Sequence, residues 1–388
     1  MKKITSGIYY IGYNNENADL FESQFSLKSG MSYNSYLILD EKIAIIDSVE
    51  LDGKEVWFKA IEEVLKDRKP DYLIVEHMEP DHSGAILEFV RKYPEAKIVT
   101  NQKSLNLLNQ FFDFNFDDKV VLVQERDELS LGKHSLTFFF APMVHWPEVL
   151  MMYEKHSKTF FSADAFGKFG IFDAKDNWID EARRYYVGIV AKYGVQVQNL
   201  LKKISHLEIE RICSLHGPIL DKNLDKYIGI YDLWSKFESE NTKGVFIAYT
   251  SVYGNTESAV MKLKDELNYL GIEDVLVKDL ARTEMSENIA QAYRYHKVVL
   301  ASTTYNNSIF PVMHDFLIRL SEHGFQNKVV GIIENGSWAP QVEKIIKNAL
   351  GSCKNIKFIE QYVRVKSSLK SQNLEEIREL ALALRKEE

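Results

Sequence analysis

The chain has 388 residues, of which 45% are hydrophobic and 27% are charged, as in an ordinary globular protein of two or three domains. Its formal net charge of −8 gives no electrostatic support for a nucleic-acid partner, and we expect none. The two cysteines, Cys213 and Cys353, form no CxxC pair and argue against thiolate zinc sites, iron–sulfur clusters and a disulfide scaffold.

The first part of the chain mixes short strand-like runs with helices. Its N-terminus lacks an uninterrupted apolar stretch, and no segment reaches the roughly 18 apolar residues of a membrane span, so we expect a cytoplasmic protein without a membrane partner. Two β-rich runs, Ser32–Leu39 and Lys42–Ile46, lie on either side of Asp40-Glu41 and predict a hairpin, and Gly53–Asp67 has helical periodicity. Four apolar runs predict further strands: Asp71–Glu76, Leu136–Phe140, Thr159–Ser162 and Ile209–Leu215. This pattern suggests two sheets packed between helices.

The second part alternates strands and helices regularly. The polar stretch Ser239–Gly244 marks the predicted boundary between domain 1–242 and domain 243–388. Strands are predicted at Val245–Tyr249, Asp274–Val277, Lys297–Ala301, Lys328–Ile333 and from Lys357 onward. Helices are predicted at Glu257–Leu270, Glu287–Tyr295, Pro311–His323, Gln341–Leu350 and Asn373–Lys386. Strict alternation of this kind predicts a doubly wound parallel sheet.

Four potential metal ligands follow the strand Asp71–Glu76 within six residues. They are His77, Glu79, Asp81 and His82. Pro80 and Gly84 favour a loop over a helix in this segment. In extended backbone the first two ligands point to one side, while the last two can turn toward a second point.

Three more ligand types, His145, Asp164 and His216, follow the other apolar runs. Each residue alone would more often be a packing histidine, a helix cap or a solvated charge, but the clustered spacing after a strand favours metal binding. Seven imidazoles and carboxylates are too many for one metal and suit two, with one carboxylate bridging. The absence of thiolate favours iron, manganese or zinc, and structural zinc takes four ligands without a bridge.

The order of these ligands resembles the metallo-β-lactamase-like superfamily, which usually carries HxHxDH and binds two zincs for hydrolysis. Here Glu79 stands at the second histidine position, and this hard oxygen ligand favours iron and is the mark of the flavodiiron family. The resemblance implies that His77, Glu79 and His145 bind the iron nearer the flavin. It implies that Asp81, His82 and His216 bind the other iron. Asp164 would bridge the two, and Tyr193 looks like a family tyrosine that donates a hydrogen bond to bound substrate.

A second constellation follows the strand Val245–Tyr249, where hydroxyls, a glycine and a helix N-terminus predict an anion site. It is neither a Walker A nor a GxGxxG motif, and it resembles the phosphate loop with which flavodoxins bind FMN. Its residues are Ser251, Val252, Tyr253, Gly254, Asn255 and Thr256. The chain departs from the family pattern at Thr250, where an aspartate often stands.

Two more loops follow neighbouring strands at the predicted switch point of the sheet, where they are expected to hold the isoalloxazine ring of FMN. The first resembles the family's SPTYNN loop, with Thr303 in place of proline. The residues of the two loops are Thr303, Thr304, Tyr305, Asn306 and Asn307, then Gly336, Ser337 and Trp338. The predicted fold is a metallo-β-lactamase-like αββα sandwich followed by a flavodoxin-like doubly wound sheet of order 2-1-3-4-5.

The resemblance implies an enzyme that passes electrons from FMN to a non-haem diiron site, where O2 is reduced to water, NO to N2O, or both. The chain carries no CxxC module, so rubredoxin or a related external donor is expected. A head-to-tail homodimer, or a tetramer of such dimers, would bring one chain's FMN to the other chain's irons. Two alternatives stay open: a zinc-dependent hydrolase with a flavodoxin-like regulatory domain, and an electron carrier whose first domain is only a dimerisation scaffold.

Overall fold

The computed structural model describes residues 1–387 and divides the chain into two compact units, Met1–Asp232 and Leu233 onward. The division falls in the helix Leu224–Ser235, whereas residue 242, where the composition places the boundary, lies in the strand Asn241–Tyr249. Across residues 1–387, none of the helices has both the length and the apolar character that a membrane crossing requires.

The first unit is built on two main sheets. The larger sheet has, in spatial order, the strands Lys2–Thr5, Ile8–Tyr10, Tyr36–Leu39, Ile43–Ile46, Tyr72–Ile74, Lys97–Thr100 and Val120–Leu122. The smaller sheet has the strands Glu128–Ser130, Ser135–Phe140, Leu150–Glu154, Thr159–Phe161 and Arg211–Cys213. Two small ribbons pair Tyr13–Asn15 with Met31–Tyr33 and Leu20–Phe21 with Phe25–Ser26.

The helices of this unit are Lys54–Leu65, Pro80–Ser83, Ile86–Lys92, Gln102–Phe111, Trp178–Tyr185, Gly194–Ile204 and Leu224–Ser235. Short 3-10 turns lie at Leu51–Gly53 and Ala191–Tyr193, and Tyr186–Val190 is a π-helical turn.

Alternation along the strands of the larger sheet creates two apolar cores. Leu37 packs on the side of the helices with the buried Trp57, whereas its neighbour Ile38 joins the layer that contains Phe138 and Met152 of the smaller sheet. Successive side chains of a strand point to opposite faces, so a strand buried on both faces is apolar throughout. The two-sheet arrangement with helices that the sequence predicts is confirmed.

Two local predictions in this unit need correction. The hairpin is confirmed as the antiparallel pair Tyr36–Leu39 and Ile43–Ile46, but its first predicted run, Ser32–Leu39, begins inside another strand, Met31–Tyr33, which pairs with Tyr13–Asn15. The segment predicted as a loop contains the short helix Pro80–Ser83. Proline suits the first helical position, since its missing N–H would have no partner there, so Pro80 begins a helix here.

The second unit has a parallel sheet with the strand order Val275–Asp279, Asn241–Tyr249, Tyr295–Tyr305, Lys328–Asn335 and Ile356–Phe358. This is the predicted order 2-1-3-4-5. Its helices are Asn255–Tyr269, Met285–Arg294, Pro311–Glu322, Val342–Leu350 and Ser371–Lys386. A further strand, Val363–Val365, pairs in parallel with the end of Lys328–Asn335.

One strand of this sheet is longer than predicted. Tyr295–Tyr305 continues through residues that the sequence assigns to a loop, and it pairs with Ser308–Ile309. The turn between them consists of Asn306 and Asn307, which have φ angles of 48° and 57°. Asparagine tolerates this left-handed conformation, which two-residue hairpin turns require.

Candidate functional site

All seven predicted ligand residues gather where strands of the two sheets of the first unit end. His77 to His82 follow Tyr72–Ile74 of the larger sheet, and the other three follow strands of the smaller sheet. Their ligand atoms form two groups in which all the atoms lie within 4.8 Å of one another. The first group is His77, Glu79, His145 and Asp164, and the second is Asp81, His82 and His216.

The first group converges on one point. Glu79 Oε2 lies 3.2 Å from His77 Nε2 and 3.1 Å from His145 Nε2. Asp164 Oδ2 lies 3.3 Å and 3.0 Å from the same two nitrogens. Two imidazoles and two carboxylates therefore direct nitrogen and oxygen atoms toward a shared centre, as the ligands of a borderline or hard metal do.

The second group converges in the same way. The Nε2 atoms of His82 and His216 lie 3.0 Å apart, and each lies 3.3 Å from Asp81 Oδ2. Two ring nitrogens at this distance share one proton at most, because a nitrogen that carries its own proton cannot accept another. A cation between the rings would instead use both lone pairs.

Asp164 connects the two groups. While its Oδ2 belongs to the first group, its Oδ1 lies 3.6 Å from His82 Nε2 and 3.5 Å from His216 Nε2. A carboxylate with one oxygen in each group has the geometry of a ligand shared by two metal positions.

Buried oxygen atoms without partners show that this donor set fits cations. Among residues 1–387, neither oxygen of Asp81 has a hydrogen-bond partner, nor does Asp164 Oδ1. Leaving a buried carboxylate oxygen unpaired costs free energy that a bound cation would recover.

The pKa shifts within the cluster also show that it stabilises positive charge. Burial lowers the pKa of His77, but Asp164, Glu148 and Glu79 outweigh it and hold that pKa well above its usual value. Burial is likewise outweighed at His145, whose pKa is raised to about 9 by Asp164 and Glu79. Burial raises the pKa of Asp164, but its histidine neighbours hold it well below the usual value. The carboxylate of Asp164 therefore stays anionic and attracts cations.

Two of the histidines are oriented through their other ring nitrogen. His77 Nδ1 lies 2.8 Å from Glu148 Oε1, and His216 Nδ1 lies 2.7 Å from the backbone oxygen of Ser32. These acceptors favour the proton on Nδ1, which leaves Nε2 free to face the cluster. Glu148 is not predictable from the sequence, although it lies three residues after His145, because no spacing rule connects it to His77.

Tyrosines other than the predicted one contact the cluster. The ring centroids of Tyr33 and Tyr185 lie 5.8 Å and 5.5 Å from that of His216. The hydroxyl of Tyr185 is buried and has no hydrogen-bond partner among residues 1–387. The described part of the chain shows no hydrogen bond, ion pair or ring contact between Tyr193 and the seven residues, so the role of Tyr193 stays a prediction. The only local signal for Tyr185 is the π-helical turn that follows it, since such turns often occur at functional sites.

A cleft of about 600 Å³ opens onto Glu79 and Asp81. Its walls combine apolar residues, such as Leu20 and Phe21, with the carboxyl of Glu22, whose pKa is raised to about 7 by burial and by the neighbouring Glu79. The cluster is therefore reached through a cleft that has both apolar and carboxyl groups in its walls.

The predicted phosphate loop joins the strand Asn241–Tyr249 to the helix Asn255–Tyr269. Gly254 precedes the helix with a φ of +81°, and the nearest atom to a Cβ built there is Glu257 Oε2 at 4.0 Å. The space in front of the first helical N–H groups is thus open, as an anion site requires. Thr256 Oγ1 is buried and accepts a hydrogen bond of 3.3 Å from Asn335 Nδ2.

The other two predicted flavin segments lie at the same edge of the sheet. Thr303 pairs with Asn335 across two parallel strands, so the ends of both strands are neighbours. Thr304 and Tyr305 complete the first strand, Asn306 and Asn307 form its turn, and Gly336, Ser337 and Trp338 follow the second strand. Tyr253, in the predicted phosphate loop, and Trp338, in the last of these segments, are 91% and 81% exposed. Ser367, which the sequence analysis did not select, contacts Ser337 through their hydroxyls at 2.8 Å.

Comparison with known proteins identifies the family. Residues 31–217 match the family described as ODP family beta lactamase. A relative from Moorella thermoacetica, named nitric oxide reductase, is 31% identical over 364 residues, which cover 90% of each chain. The structure of rubredoxin oxygen:oxidoreductase from Desulfovibrio gigas is similar with a TM-score of 0.91 at 25% identity, covering 99% of this chain and 98% of that one. The flavodiiron protein of Giardia intestinalis shares the fold with a TM-score of 0.92 at 24% identity, over 100% of this chain and 96% of its own. The chain belongs to the flavodiiron family.

Proposed function

We propose that this chain reduces dioxygen to water, nitric oxide to nitrous oxide, or both, with electrons that pass from FMN to a non-haem diiron site. The observation that carries the proposal is the carboxylate of Asp164, which places one oxygen in each of two groups of histidine and carboxylate ligands. The names of the Moorella and Desulfovibrio relatives, nitric oxide reductase and rubredoxin oxygen:oxidoreductase, support the two substrates.

Each side chain of the cluster has an assigned role in this proposal. His77, Glu79 and His145 would hold one iron, and Asp81, His82 and His216 would hold the other. Asp164 would serve both positions, since one of its oxygens lies in each group. When bound, the iron pair supplies electrons and Lewis acidity to the substrate. The buried hydroxyl of Tyr185 is available to donate a hydrogen bond to an oxygen atom of the bound substrate.

The cleft gives small molecules a path to the cluster, since Leu20 and Phe21 line it together with the ligands Glu79 and Asp81. The hydrolase alternative is weakened by the oxygen ligand Glu79, which suits iron better than a second imidazole would.

FMN is assigned to the second unit. The open N-terminus of the helix Asn255–Tyr269 and the hydroxyls of Ser251 and Thr256 suit its single phosphate. The exposed rings of Tyr253 and Trp338 suit its isoalloxazine.

The remaining assignments concern partners and location. We propose rubredoxin or a related protein as the donor, and a cytoplasmic location. We also propose a head-to-tail homodimer, or a tetramer of such dimers, in which FMN of one chain serves the irons of the other. Light scattering on the active enzyme checks the assembly, and an active monomer would contradict it.

The deciding experiment combines metal analysis with gas consumption. Protein purified from iron-replete cells is expected to contain about two irons and one FMN per chain. With reduced rubredoxin as donor, it is expected to consume O2 or NO. Two zincs in place of iron, with neither gas consumed, would favour the hydrolase alternative. Full activity after loss of the metals would favour the electron carrier.

A further inference from the structure

The two metal-binding groups have the same composition. Each contains two histidines and one carboxylate of its own, Glu79 or Asp81, and both share Asp164. Because the ligand types are so similar, the residues that surround the ligands are expected to contribute to any difference between the two metal positions.

The partners of the histidine Nδ1 atoms supply such a difference. In the first group, His77 Nδ1 contacts the carboxylate oxygen Glu148 Oε1 at 2.8 Å, and both side chains are fully buried. In the second group, His216 Nδ1 contacts the neutral backbone oxygen of Ser32 at 2.7 Å. A carboxylate partner makes an imidazole a stronger electron donor than a carbonyl partner does.

Glu148 is itself held firmly in place. Its Oε1 also accepts a hydrogen bond of 2.9 Å from the backbone N–H of Met78, between two of the ligands. Its backbone oxygen accepts a hydrogen bond of 2.6 Å from Asn101 Nδ2. Asn101 in turn caps the helix Gln102–Phe111 by accepting from the N–H groups of Lys103 and Ser104. The position of the carboxylate is thus fixed by the fold and does not depend on a flexible side chain.

We propose that Glu148 is a positioning residue that makes the two metal positions unequal, so that the position served by His77 holds its iron more tightly. The proposal rests on the diiron function proposed above. Glu148 acts through His77, which it holds with the proton on Nδ1, and its negative charge stabilises the metal cation from one imidazole away.

The substitution Glu148→Gln removes the negative charge of the side chain but keeps its hydrogen bonds. The amide oxygen of glutamine can accept from both His77 Nδ1 and the Met78 N–H, as Glu148 Oε1 does. The other carboxylate oxygen, Oε2, has no hydrogen-bond partner among residues 1–387, so its replacement by an amide nitrogen breaks no bond there.

Glu154→Gln is the matched control. Glu154 is also a buried carboxylate beside a buried histidine, with Oε1 3.1 Å from His134 Nδ1. It ends the strand Leu150–Glu154 and accepts from the backbone N–H of Ser157 at 2.7 Å, a bond that an amide nitrogen would break. The control removes the same charge at equal or greater cost to stability, away from the ligands.

The measurement is the release of iron from the full-length holoprotein to a strong chelator under anaerobic conditions. Wild-type protein is expected to release its two irons in two phases of unequal rate. Glu148→Gln is expected to accelerate the slow phase by about 10- to 100-fold and to leave the fast phase unchanged. Mössbauer spectra of the ferrous protein are expected to show two signals, of which the variant shifts one. Glu154→Gln should match wild type in both measurements.

Equal release of both irons from wild type, an equal change of both phases in Glu148→Gln, or no difference from Glu154→Gln would overturn the proposal. Should Glu148→Gln not fold, Glu148→Asp keeps the charge but withdraws it by one methylene. This variant is expected to accelerate the same single phase by a smaller factor. If it did not accelerate that phase at all, the proposal would be overturned. A wild-type protein that holds no iron pair would instead contradict the proposed function, so the two failures are distinguishable.

Discussion

His82 and His216 bring their Nε2 atoms within 3.0 Å of each other although 134 residues separate them in the chain. The first follows a strand of the larger sheet and the second follows a strand of the smaller sheet. Their meeting depends on how the two sheets pack, and it creates half of a metal site from residues that no local segment contains.

Removal of His82 is expected to empty one metal position. His82→Ala should lower the iron content from about two to about one per chain, because Asp81, His216 and the shared Asp164 leave that position short of a nitrogen ligand. Asp164→Ala should lower the iron content at both metal positions, because the carboxylate serves both groups. Metal analysis measures iron, and flavin absorbance, expected to be unchanged, is the control. Two irons retained in His82→Ala would show that this histidine is not a ligand.

Substitution of two tyrosines tests which hydroxyl donates a hydrogen bond to the bound substrate. Tyr185→Phe is expected to keep iron and FMN but to lower kcat on the order of 100-fold, because it removes a buried hydrogen-bond donor beside His216. Tyr193→Phe is the companion variant, and steady-state gas consumption is the readout. A loss of turnover in Tyr193→Phe alone, with metals intact, would assign the role to Tyr193 as the sequence predicts.

A methyl group at Gly254 is expected to weaken FMN binding about tenfold, equivalent to about 1.4 kcal/mol. Its Cβ would enter the open space before the helix Asn255–Tyr269, in a backbone conformation with φ of +81°. Gly271→Ala is the control, because Gly271 has a φ of +87°, no atom within 4 Å of its Cβ position, and the same parent unit. Both variants should lose about 1–2 kcal/mol of stability. If fluorescence titration gave the two variants the same FMN affinity, the loop that contains Gly254 would not be the site that binds the FMN phosphate.

Glu154 is expected to make the free energy of unfolding depend on pH. Burial raises its pKa, but contacts with His134 and Ser157 outweigh burial and lower it to about 2 from its usual 4.5. A carboxyl whose pKa is depressed by folding stabilises the protein above pH 4.5, and this contribution is lost as the pH falls toward about 2. The difference in unfolding free energy between wild type and Glu154→Gln should therefore shrink over this interval. Urea titrations of metal-free protein measure it, and a difference independent of pH would contradict the assignment.

That the seven predicted ligands come together is predictable from sequence, because each follows the end of a strand whose apolar pattern is clear. Glu148 is not predictable in this way, since 71 residues separate it from His77 and its role depends only on their contact in space. Tyr185 is missed for the same reason.

The local errors have local causes. Pro80 and Gly84 suggest a loop, but proline begins helices as readily as it ends them. Thr303 to Tyr305 are residue types that favour strands, yet their resemblance to a binding loop hid this preference. The ribbon strands Tyr13–Asn15 and Met31–Tyr33 are too short for any periodicity to be visible.

The order of the ligands along the chain also bears on biosynthesis. All seven lie between residues 77 and 216, so all of them are synthesised before the first strand of the second unit, Asn241–Tyr249. A nascent first unit already contains every side chain needed to capture its metals. Loading of iron can thus precede, and proceed without, the folding of the part of the chain that holds the flavin.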